Sequence, residues 1–172
     1  MIRISVLFIC LFLSNHLAAI EAELKFDEVY GPEGNVFNLS VKMAHDGDVE
    51  FSMYYQNGAY FLRTKRTLYE YDEVKKVLNE RSTIDKSDLT LRDAKLILIK
   101  LNAALNYNTL DYEMGRDGSD WCIESFRGGA YTKACFWYPG LNAGERKLSG
   151  LVQFGSYLWQ GSNLNDGNLE LY

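Results

Sequence analysis

Between Val36 and Lys65 apolar and polar residues alternate with a period of two, and Asn57-Gly58 interrupts the alternation. Asn-Gly accepts positive φ at both positions, the strongest short-range signal for a hairpin. A two-residue turn there sets Tyr55 against Tyr60, Met53 against Leu62, Phe51 against Thr64 and Glu50 against Lys65. A second turn, near His45-Asp46-Gly47, divides the stretch into three strands. A two-residue loop at Asp46-Gly47 sets Lys42 against Phe51 and mixes the faces. Including His45 aligns Phe37, Leu39, Val41 and Met43 with Tyr55, Met53, Phe51 and Val49, so the longer loop is expected. The outward face then carries Lys42, Glu50 and Lys65 as a charge row, with Tyr54 and Phe61 beside it.

The period then changes. Leu68, Tyr71, Val74, Val77 and Leu78 recur at helical spacing, with Asp72 placed to pair with Lys75 and Lys76, which predicts a helix over Leu68 to Arg81. Thr90, with Asp93 three residues on, is a plausible N-cap for a second helix running to about Asn106. Its stripe of Leu91, Ala94, Leu98, Leu101 and Leu105 is widened by Leu96, Ile97, Ile99 and Ala104, which predicts burial on most sides. A last helix is expected over about Glu145 to Gln160, with a loose tail from about Gly161.

Between these helices lies a second hairpin, turning at Gly128-Gly129. Counting outward from Arg127:Ala130 gives Phe126:Tyr131, Glu124:Lys133, Cys122:Cys135 and Trp121:Phe136. The two cysteines fall opposite each other at a non-hydrogen-bonded position, where α-carbons approach most closely, so a cross-strand disulfide is expected. Trp121, Ile123, Ala134 and Phe136 make the more apolar face, assigned to the core. The expected fold is α+β, with antiparallel strands in the order β-β-β-α-α-β-β-α and a disulfide-bridged C-terminal hairpin.

Composition narrows where such a fold works. Arg3, an apolar run from Ile4 to Leu13 and small residues at Ala18, Ala19 and Ala22 have the order of a secretory signal peptide. Residues 1–22 are therefore read as a leader cleaved after Ala19 or Ala22, and 23–172 as one domain, periplasmic or secreted. Past the leader the chain keeps two cysteines, Cys122 and Cys135, an even count that suits one disulfide in an exported protein. The net charge of −5, without a basic stripe, argues against nucleic acid and anionic membrane surfaces.

The chemistry available is limited. Past the leader the only histidine is His45, in a turn, and both cysteines are assigned to the disulfide. Nucleophilic triads and zinc sites therefore lack ligands, and no phosphate-cradling Gly-rich loop links a strand to a helix. Asp46-Gly47-Asp48, Asp117-Gly118-Ser119-Asp120 and Asn163 to Asn168 carry oxygen ligands but read as turns rather than calcium loops. No metal or cofactor is expected. Glu124 with Asp120, Asp117 or Glu113 has the two carboxylates that glycoside hydrolysis needs, although Lys133 opposite Glu124 suggests an ion pair instead.

The run Asp117-Gly118-Ser119-Asp120-Trp121-Cys122-Ile123-Glu124, followed by Gly128 or Gly129, then Tyr131, Trp137 and Pro139, resembles a motif of small uncharacterised bacterial proteins. In that family an Asp-Gly turn leads to Trp-x-apolar-Glu, a Gly-x-Tyr hairpin, a Trp-x-Pro exit and a short amphipathic helix. The resemblance implies fold over about Asp117 to Trp159 and no activity. This chain departs from it in having Thr132 where a His often follows the Tyr, and Phe136 where an Arg often precedes the Trp. The remaining signal is aromatic: Tyr54, Phe61, Phe126, Tyr131 and Trp137 exceed what one small core needs and suggest a contact surface. The expected role is binding rather than catalysis, as an inhibitor or immunity-type protein on another exported protein. A carbohydrate-binding module is the alternative, and a carboxylate-dependent glycoside hydrolase the less favoured one.

Overall fold

The computed structural model describes residues 34–44, 47–107, 110–115, 117–127, 130–165, 167 and 171; the leader expected over 1–22 lies outside them. Six strands, β1 (Asn35–Met43), β2 (Gly47–Gln56), β3 (Ala59–Asp72), β4 (Val77–Leu89), β5 (Ser119–Arg127) and β6 (Ala130–Trp137), accompany two helices, α1 (Leu91–Ala104) and α2 (Ser149–Gln160). The strands form one antiparallel sheet in the order β4-β3-β2-β1-β5-β6. β1 thus joins a three-stranded meander to the disulfide hairpin.

The registers expected on either side of Asn57-Gly58 and of Gly128-Gly129 are present, Gly128 and Gly129 themselves lying outside the described residues. Tyr55 faces Tyr60, Phe51 faces Thr64 and Glu50 faces Lys65 across β2–β3. Across β5–β6, Cys122 faces Cys135 and Glu124 faces Lys133. Between β1 and β2 the faces are as expected but the register slides by two residues. Val41 meets Val49 and Met43 meets Gly47, so the connection is 44–46, of which His45 and Asp46 lie outside the described residues. Gly47 belongs to the strand because its φ is +88° and a Cβ there would lie 2.0 Å from the Thr67 carbonyl oxygen. Only glycine lets β3 approach so closely. A bulge at Val36 shifts the pairing at the other end of β1.

The helix expected over Leu68 to Arg81 is instead the outer half of the β3–β4 hairpin, with Leu68 opposite Arg81 and Asp72 opposite Val77. The element order among the described residues is therefore β-β-β-β-α-β-β-α, with two helices there where three were expected. Apolar residues at helical spacing need a surface to cover, and here they have none: Tyr71, Val74 and Leu78 are 54%, 94% and 63% exposed. Asp72 closes the turn, its Oδ1 accepting from the backbone N–H of Val74 (3.0 Å) and Lys75 (2.9 Å), and Lys76 takes φ +53°. The expected Asp72–Lys75 ion pair is present at 3.5 Å, but within this turn.

Both helices lie on one face of the sheet. Phe37, Leu39, Val41, Val49, Phe51, Met53, Trp121 and Ile123, all at most 1% exposed, meet Ala94, Leu101, Leu151, Phe154 and Leu158. Each such large apolar side chain contributes roughly 1.5–3 kcal/mol by leaving water. α2 approaches β5 through Gly155, where a Cβ would lie 2.3 Å from the Trp121 ring. α1 starts at Thr90 as expected, the Thr90 hydroxyl accepting from the Asp93 N–H at 3.2 Å. It is buried on one side only, leaving Leu91, Leu96 and Ile99 exposed. α2 begins at Ser149 rather than Glu145, after a turned segment in which Asn142 and Lys147 take positive φ. Of the tail past Gly161, Ser162 and Leu171 are buried, and the Trp121 indole N–H donates to the Leu171 carbonyl at 3.2 Å.

Candidate functional site

With both helices on one side, side chains of the opposite parity, such as Asn38, Tyr54, Arg63, Glu124 and Tyr131, project from the other face of the sheet. They border a shallow groove of about 350 Å³ lined by Asn38, Glu50, Tyr54, Arg63, Cys122 and Glu124. The disulfide is part of this lining, its α-carbons 4.0 Å apart.

At the centre is a polar relay across three strands. Lys133 Nζ donates to Glu124 Oε1 at 2.6 Å, Asn38 Nδ2 to Glu124 Oε2 at 3.4 Å, and Asn35 Nδ2 to Asn38 Oδ1 at 3.2 Å. The hydrogen bond from Lys133 holds the Glu124 carboxyl below its ordinary range, aided by Asn38 and Tyr131 and opposed by partial burial. The same bond raises the Lys133 ammonium. A carboxyl shifted downward is tuned away from proton donation, which needs the opposite shift. Asp120, the next candidate partner, lies four residues along β5, about 13 Å at strand rise, beyond the spacing of a glycosidase pair. Asn35 Oδ1 is buried with no hydrogen-bond partner among the described residues.

Aromatic pairs flank the relay. Tyr54 and Phe61 stack at 5.1 Å between ring centroids, with Lys86 Nζ 3.9 Å from the Phe61 ring centre. Phe126 and Tyr131 tilt together at 5.2 Å, with Tyr131 56% exposed. The register sets these four residues at one end of the face: Tyr54 opposes Phe61, Asn35 opposes Tyr54, and Phe126 opposes Tyr131. Trp137, opposite Asp120, lies at the far end. It is half-buried and packed against Gly115 and Gly118, where a Cβ on Gly115 would meet its ring at 2.0 Å. Of the five aromatics singled out by the sequence, the fold gathers four and separates one.

A residue set absent from the sequence reading secures this far end. The Arg146 guanidinium donates from Nε and Nη2 to Asp111 (2.9 and 2.7 Å), from Nη1 to the carbonyls of Tyr138 (2.9 Å) and Leu141 (3.0 Å), and from Nη2 to that of Trp137 (2.8 Å). All five N–H donors are used, and the side chains are only 8% and 6% exposed. The pair locks the Trp137-Tyr138-Pro139 exit and so fixes Trp137. Asp111 and Arg146 are 35 positions apart with no motif linking them, so the sequence carries no signal of the contact.

Among the described residues no three His, Cys, Asp or Glu side chains gather as a metal-binding group, and no helix is long and apolar enough to cross a membrane. Of the oxygen-bearing turns, Asp46, Asp166 and Asn168 lie outside the described residues. No family model matches the chain, and neither the curated proteins nor the solved structures yield a match.

Proposed function

We propose that this protein is an exported binding domain, periplasmic or secreted, that docks on another exported protein through the face of its sheet opposite α1 and α2, in the manner of an inhibitor or immunity-type protein. The observation that carries this reading is the asymmetry of the sheet. One face is sealed by α1 and α2, while the other presents Tyr54, Phe61, Phe126 and Tyr131 around a groove with Arg63 and Glu124. Aromatic anchors beside charged groups are the usual composition of a protein-binding hot spot. The leader-like order of residues 1–22 and the Cys122–Cys135 disulfide support export. The likeness to the small bacterial proteins with the Trp-x-apolar-Glu hairpin is part of the same proposal and adds no activity to it.

The test is capture of partners from the exported fraction of the protein's own cells, followed by calorimetry with the purified partner. Phe61→Ala and Tyr131→Ala are each expected to weaken binding about tenfold or more. A partner that binds both variants as tightly as wild type refutes the assignment of the face. A glycan is the second reading, favoured by the stacked Tyr54–Phe61 pair lying beside the Asn38 amide and the Glu124 carboxylate. It predicts a change in aromatic fluorescence on titration with oligosaccharides and none with proteins.

A further inference from the structure

β4 ends the sheet, so one side of its backbone faces no other strand among the described residues. It is thirteen residues long, exposed continuously from Val77 to Ile84, and paired to β3 without a bulge. Exposed edges of that length are ordinarily protected by proline, a bulge, a cover or repelling charge. β4 has no proline, and its charges alternate in sign: Glu80, Arg81, Asp85, Lys86 and Asp88.

We propose that β4 pairs antiparallel with β4 of a second copy of this chain, about a two-fold axis through Thr83, joining two six-stranded sheets into one. Three observations carry this. Thr83 is the midpoint of Val77–Leu89, so the strands overlap along their whole length. In that register Glu80 faces Lys86 and Arg81 faces Asp85, so every charge between Val77 and Ser87 meets its opposite, twice by symmetry. The nearest registers that keep each side chain on its own face are two residues away, and they set Glu80 against Ile84 or against Asp88 and lose the complementarity.

The third observation is the overhang of the β3–β4 hairpin. From Leu68 outward β3 has no β2 partner, because β2 begins at Gly47 and its pairing stops at Asp48 opposite Thr67. The overhang leaves Tyr71, Val77 and Leu78 exposed. In the two-fold arrangement Val77 faces Leu89 of the second copy, and Leu78 lies one strand from the second copy's Phe61, which opposes Asp88 in β3–β4. Each tip therefore covers the body of the other molecule, and the interface is isologous and closes as a dimer.

The test uses two oppositely charged variants of the full chain, Glu80→Lys/Asp85→Arg and Arg81→Glu/Lys86→Glu, in sedimentation equilibrium. Wild type is expected to be a dimer. Each variant alone places like charges at every pair and is expected to weaken self-association roughly 100-fold. Mixed, the two variants restore all pairs and form a heterodimer, which also shows that both are folded. Thr83→Cys, on the axis, is expected to crosslink to itself under mild oxidation. A monomeric wild type, variants that still dimerise alone, a mixture that does not associate, or no Thr83→Cys crosslink would overturn the proposal. None of these outcomes depends on the partner proposed for the open face.

Discussion

Removing the buried charge of Asp111 should unsettle the whole Trp137 corner. Asp111→Asn keeps the shape and one acceptor oxygen but leaves the Arg146 guanidinium, 8% exposed, without a counter-charge. Breaking one side of a buried ion pair costs about 3–5 kcal/mol, and the retained acceptor places this change near 3 kcal/mol. Arg146→Met removes five donors and strands the carbonyls of Trp137, Tyr138 and Leu141 as well as the carboxylate. At about 1–3 kcal/mol for each unsatisfied group, less what entering water recovers, about 5 kcal/mol is expected. The double variant Asp111→Asn/Arg146→Met leaves no unpaired charge and should cost about 2–3 kcal/mol less than the two single changes together. Urea unfolding followed by far-ultraviolet circular dichroism measures the cycle. In a thermal scan Asp111→Asn should lower Tm by about 6–12 °C, at roughly 2–4 °C per kcal/mol for a chain of this size. Single changes below about 1 kcal/mol, or strict additivity, would refute the reasoning and make the pair behave as a surface contact.

Gly155→Ala should destabilise by about 1–3 kcal/mol in the same unfolding assay, because its methyl group needs space held by the buried Trp121 ring 2.3 Å away. Cys122→Ser/Cys135→Ser should lower stability by about 2–3 kcal/mol, from the entropy of the short ring, while hydrogen exchange reports an unchanged β5–β6 register. Glu124 sets an acid dependence. Its folded carboxyl is lowered chiefly by Lys133, so its stabilising contribution is present above the unfolded value and lost as pH falls through the folded one. Unfolding of Glu124→Gln should therefore lack that part of the acid loss, and a wild-type and variant difference that stays constant from neutral pH down through the carboxylate range would disprove it.

How much the sequence disclosed depended on how local the determining interaction is. The β2–β3 and β5–β6 registers were readable because two-residue turns index every residue beyond them, and the disulfide pairing followed from counting. The faces of β1 were readable but its register was not, since Gly47 is set by the Thr67 carbonyl of a strand twenty residues away. Leu68 to Arg81 misled because Tyr71, Val74 and Leu78 fit a helical period, while the decisive signal was the Asp72 side chain capping a four-residue turn. The aromatic cluster was legible residue by residue. Its division into four residues at one end and Trp137 at the other required the strand order, and the Arg146–Asp111 lock that fixes Trp137 has no sequence signature.

The position of β1 between the two hairpins has a kinetic consequence. β2–β3, β3–β4 and β5–β6 are all neighbours in sequence and can zip locally, but β1 meets β5 only by closing a long loop, as in Val41 against Trp121. Loop closure of that kind is slow relative to hairpin formation, so the β1–β5 seam should be the last part of the sheet to form. Until it does, the apolar sides of Leu39, Val41, Trp121 and Ile123 stay open to water. The disulfide cannot shorten that wait, because Cys122 and Cys135 belong to the same hairpin and leave the length of the closing loop unchanged. The protein is thus cross-linked where it folds quickly and unrestrained where it folds slowly.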